Sequence, residues 1–182
     1  MNGRSRLPAF PLIMLLVALV AQVALAPNVA IGGVVPSLML CFVVLNSLSS
    51  ERLPATLYGF FAGLLYDLVS VAPIGPGALT LCIVAFLVSN IREMPGLQFL
   101  PMQVLAVVVS LLVGELIYAI VMSVIGYELD FLYSLLTIVL PATVFDSVIA
   151  VLILLISKRR KAPKGGTGLA GSGSLKDRLP PI

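Results

Sequence analysis

The sequence predicts an all-α integral membrane protein, six transmembrane helices with both termini in the cytoplasm. Three observations carry that reading. First, 60% of the 182 residues are hydrophobic and only 10% are charged, with a mean hydropathy of +1.15. Soluble domains carry about 25% charged residues, so this chain lacks the polar material to cover a water-facing surface. The same composition excludes a wholly disordered chain. Second, the apolar residues fall into six stretches near the ~20 residues that one helix needs to cross a bilayer. Third, threading those stretches from an inside N-terminus puts all 11 Lys and Arg on one side.

The expected spans are residues 7–26, 31–48, 53–71, 75–91, 100–125 and 131–157. The first follows Arg4 and Arg6 and ends in Ala24-Leu25-Ala26, which resembles a secretory cleavage site. Its length and the following Pro27 favour a retained span over a signal peptide. Pro36 interrupts the start of the second. The fourth is short and opens in the run Pro73-Ile74-Gly75-Pro76-Gly77. Charge decides in its favour, because omitting it would move the seven basic residues after Ser157 to the outside, against the bias of cytoplasmic loops towards Lys and Arg. Pro141 removes a backbone donor from the sixth and predicts a kink about one turn before Asp146. The segment 158–182 is a tail. Lys158-Arg159-Arg160-Lys161 is a stop-transfer cluster that attracts anionic lipid headgroups, and the Gly/Ser-rich stretch 165–174 predicts a flexible cytoplasmic segment.

Function classes fall away quickly. The chain has no His and no Trp, which removes His-based triads and most zinc sites. Cys41 and Cys82 sit in separate apolar runs and read as small buried hydrophobes. No phosphate-binding or dinucleotide fingerprint is present. No cofactor, no metal, no catalytic residue and no nucleic-acid partner is expected. An aspartyl protease fails because Val144-Phe145-Asp146-Ser147 lacks the Gly-x-Gly-Asp pattern. A transporter stays open.

Three acids lie inside expected spans, Asp67, Glu115 and Asp146, with no cation in any span to meet them. Such residues are costly and face a bundle interior, a cavity or a partner. They must be protonated, solvated or hydrogen-bonded to neutral groups; Asn46, Tyr66, Ser70, Ser110, Tyr118, Thr143 and Ser147 are candidate neighbours. Gly59, Gly63 and Asp67 recur at i, i+4 and i+8 and share a helix face. Gly59-Phe60-Phe61-Ala62-Gly63 is a small-xxx-small motif that admits a close neighbouring helix. Ser110 and Gly114 form a second small pair just before Glu115.

The run Gly59 to Ser70, then Pro73-Ile74-Gly75 and Ala78-Leu79, resembles the signature of the rod shape-determining protein MreD family. Val35-Pro36-Ser37-Leu38 is similar to that family's second-span opening. The resemblance implies a fold similar to the substrate-binding subunits of energy-coupling-factor vitamin transporters. It implies a non-enzymatic subunit of the bacterial cell-elongation machinery in the plasma membrane. Its partners would be MreC, the MreB filament, the synthases of lateral-wall peptidoglycan and membrane lipids. A vitamin-transporter subunit is the rival reading, weakened by the position of the only first-span Ala-x-x-x-Ala pair, Ala26 and Ala30, across Pro27. On the scaffold reading, Gly59, Gly63 and Asp67 receive a partner's transmembrane helix, and Glu115 and Asp146 supply further intramembrane polar contacts. The alternative is that the glycine face packs within the bundle.

Overall fold

The computed structural model describes residues 9–24, 28, 35–70, 73–126 and 135–161. These form six helices and no strand: α1 Ala9–Ala24, α2 Leu38–Ser47, α3 Arg52–Val69, α4 Pro76–Ile91, α5 Leu100–Val124 and α6 Leu140–Lys161. A π turn, Leu135–Val139, leads into α6. It ends two residues before Pro141, where a wider turn relieves the clash between the proline ring and the preceding carbonyls. The helix α6 runs through the basic cluster to Lys161, so part of the expected tail is helical. Basic residues complement the negative end of the helix dipole there. Residues 162–182 lie outside the described part, as does the stretch 29–34 of the expected second span.

The shortest helix is the centre of the bundle. α2 packs against all five others and buries Met39, Leu40, Cys41, Val43, Val44 and Ser47. It is apolar all round because every side meets protein. α3 shows the opposite arrangement from a helix in water. Its small residues Ala55, Gly59, Ala62 and Gly63 face inward, while Leu57, Phe60, Phe61 and Leu68 are exposed. Large side chains outward and small ones inward suit a lipid solvent, where close backbone packing holds helices together. Two helical segments, Leu100–Val124 and Leu135–Arg159, are long and apolar enough to cross a bilayer, and Ile13–Ala24, Leu38–Ser47 and Pro76–Ile91 are shorter apolar helices.

The most extensive contact joins α3 to α4. A Cβ on Gly59 would fall on the Leu81 carbonyl and 2.7 Å from the Ala85 Cβ. A Cβ on Gly63 would lie 2.6 Å from the Ala78 nitrogen. Both positions therefore require glycine. At Gly114 of α5 an added Cβ would meet only side-chain ends, Leu40 at 2.8 Å and Val84 at 3.3 Å, which would have to shift.

Candidate functional site: buried acids at the helix starts

The first turn of a helix leaves its N–H groups without intrahelical partners. Water satisfies them at a surface, but inside lipid the protein must. In α4 the local sequence offers no capping side chain. Asp67, at the end of α3 and 1% exposed, supplies the cap. Its Oδ2 accepts from Gly75 N–H at 2.8 Å and Ala78 N–H at 3.0 Å, and its Oδ1 accepts from Gly77 N–H at 3.1 Å. Pro76 has no N–H to offer, so the carboxyl group collects every donor from Gly75 to Ala78. The turn sequence fits this task. Gly75 has φ of +123°, in the region that favours glycine. Proline fits the first helical position. A Cβ at Gly77 would strike the Asp67 carboxyl group.

The start of α2 is served in the same way by two other helices. Asp146 of α6, fully buried, accepts from Ser37 N–H through Oδ1 at 2.8 Å. The Cys41 thiol donates to the Asp146 carbonyl at 3.4 Å. Gln22 of α1 donates to the Pro36 carbonyl at 3.1 Å and accepts from Met39 N–H at 3.2 Å. Side chains from α1 and α6 thus fix where α2 begins.

These contacts revise two expectations. The carboxyl groups of Asp67 and Asp146 meet backbone amides, and two of the hydroxyls expected near the acids go elsewhere: Ser70 donates to the Asp67 backbone carbonyl, and Thr143 to the carbonyl of Val139. The face formed by Gly59, Gly63 and Asp67 is filled by α4 of the same chain, which leaves no room there for a partner's helix. Gln22 was missed, since a lone glutamine in an apolar span carries no local sign of a capping role.

Glu115 has a different setting. It lines a cavity of about 300 Å³ at the end of the bundle where α2 and α4 begin, together with Tyr66, Thr80 and Tyr118. Its carboxyl group interacts with that of Asp146. At the opposite end, Arg52 and Arg92 reach Glu93 at 3.7 and 4.0 Å in exposed ion pairs. Among the described residues, no group of three or more acidic or Cys side chains could hold a metal.

A strongly apolar helical bundle, with interior acids satisfying buried helix starts, has the build of a membrane protein. Compared with known families, residues 4–158 match the family described as rod shape-determining protein MreD. The match covers most of the chain, which therefore belongs to the MreD family, the rod-shape-determining membrane proteins of bacteria. Members are structural proteins of cell shape, associated in general with the MreC and MreB rod complex. No curated protein and no solved structure matched the chain.

Proposed function

We propose that this protein is a non-enzymatic scaffold subunit of the cell-elongation complex, crossing the plasma membrane six times with both termini in the cytoplasm. It binds the transmembrane segment of MreC, and it engages MreB and the lateral-wall peptidoglycan synthases directly or through MreC. The observation that carries this reading is the family match, which takes in all six helices up to residue 158. The geometry supports it. Asp67 is wholly engaged in holding the start of α4, and Asp146 helps to hold that of α2, which makes the bundle a rigid platform. With Gly59 and Gly63 closed off by α4, a partner helix would pack on the lipid-facing sides.

The test is a tagged pull-down from native membranes in mild detergent, with partners identified by mass spectrometry. Recovery of MreC and peptidoglycan synthases is expected. Recovery of a membrane coupling protein with two ATPases, without MreC, would replace the scaffold by a transport subunit. Sidedness is checked separately in a Cys-free background. Ile74→Cys should react with an impermeant maleimide added outside, and Met94→Cys only after permeabilisation. Both positions are exposed, and reaction of both from outside would overturn the six-span threading.

A further inference from the structure

We propose that the cavity beside Glu115 is a binding site for an organic cation, a primary ammonium or guanidinium group. The proposal stands on the cavity's own geometry and goes beyond the scaffold reading. At about 300 Å³, the space is at the small end of ligand pockets, which run from about 300 to 1,000 Å³. It suits a compact head group.

Its chemistry is one-sided. Glu115 lines it, and the Asp146 carboxyl group interacts with Glu115 from behind. A cation bound beside this pair would favour its ionised form, because a nearby opposite charge stabilises a carboxylate. No Lys or Arg is among the described residues that line the cavity. An acid-lined site of this kind draws cations towards it.

One buried polar atom points independently to a polar ligand. Thr80 lines the cavity, is 3% exposed, and its Oγ1 has no partner. The hydroxyls of Ser47, Thr56, Ser110 and Thr143 are each spent on the carbonyl four residues back. Those of Thr80, Ser123 and Ser147 are not, and of these three Thr80 lines the cavity. An ammonium brings three donors and a guanidinium five, enough for Glu115, for Thr80 and for the ring faces of Tyr66 or Tyr118. Two carboxyl groups without a third acidic or Cys ligand among the described residues are a poor metal cage.

The chain has no Trp and five Tyr, so tyrosine emission reads the cavity through Tyr66 and Tyr118. The full-length protein in dodecylmaltoside micelles, which supply no amine, is titrated with n-butylammonium and n-butylguanidinium chloride. The neutral probe is n-pentanol. The cations should give a saturable change that n-pentanol does not. Glu115→Gln should weaken their binding at least tenfold, and Glu51→Gln at the opposite end should leave it unchanged. Asp146→Asn keeps an acceptor for the Ser37 N–H and is a second, independent probe should Glu115→Gln fold poorly. Equal responses to cation and alcohol, or wild-type cation binding in both variants, would overturn the proposal. The source of the cation is resolved by a photo-crosslinking residue at Ala119, a cavity position, in intact cells. A protein adduct lost on Glu115→Gln assigns the cation to a basic side chain of a polypeptide. Saturable amine binding without any adduct assigns it to a small molecule.

Discussion

Replacing Asp67 by Ala tests the claim that an acid of α3 creates the start of α4. The substitution strips acceptors from three backbone N–H groups, those of Gly75, Gly77 and Ala78. A buried donor left unmade costs about 1–3 kcal/mol. Allowing for relaxation of the turn, the loss is about 3–6 kcal/mol, against total stabilities of about 5–15 kcal/mol. Cys41 offers the assay, because it is fully buried in α2, remote in sequence from the altered turn. In a Cys82→Ser background, maleimide reacts with Cys41 only when the bundle opens. A cost of about 3 kcal/mol raises the open population, and with it the labelling rate, roughly 100-fold. Leu68→Ala is the control: it is the next residue, 60% exposed, and should change the rate less than about threefold. Asp67→Asn retains one acceptor oxygen and should fall between the two. If Asp67→Ala labels no faster than Leu68→Ala, the three hydrogen bonds do not hold α4, and the account of the intramembrane acids fails.

Four further outcomes follow from the same geometry. Gly63→Leu should abolish most folded protein, seen as loss of the monodisperse chromatographic peak, because its side chain would enter the α4 backbone. Gly77→Ala should cost about 1–3 kcal/mol by overpacking, and combining it with Asp67→Ala should cost less than the sum of the two, since both act on one contact. Gln22→Leu leaves the Pro36 carbonyl and the Met39 N–H unpaired and should lower stability by about 2–4 kcal/mol in the Cys41 assay. Arg52→Ala should change stability by less than about 1 kcal/mol, because its ion pair with Glu93 is 58% and 65% exposed.

What the sequence made legible was local. As helices, α3, α4 and α5 begin and end within two residues of the stretches marked out by hydropathy and Pro/Gly punctuation. The second stretch was overextended, because hydropathy runs straight through Pro36 while the backbone from Val35 to Ser37 is not helical. The small-residue face of α3 was visible, but the identity of the helix it receives was not. A GxxxG pattern specifies close approach and says nothing of the partner. Asp67 had a readable clue, an intramembrane acid eight residues before a Gly-Pro-Gly helix start. Asp146 had none, since its partner Ser37 lies 109 residues away. Only the packing of α6 against α2 brings them together.

The placement of the acids follows from the lengths of the helices. A ten-residue helix such as α2 rises about 15 Å, half of a hydrocarbon core of about 30 Å. It cannot carry both ends to water, and α2 is enclosed by the five other helices. Its first N–H groups must therefore be met by protein, and Asp146 and Gln22 meet two of them. α4 begins against α3 and is met by Asp67. In each case the acid stands where a helix starts and its dipole is positive, so these aspartates need no cation. Glu115 breaks the pattern. It sits in the middle of α5, a helix of 25 residues, and it caps no helix start among the described residues. Capping explains Asp67 and most of Asp146. It leaves Glu115, facing a cavity and set against Asp146, as an intramembrane carboxyl group that no helix start among the described residues explains.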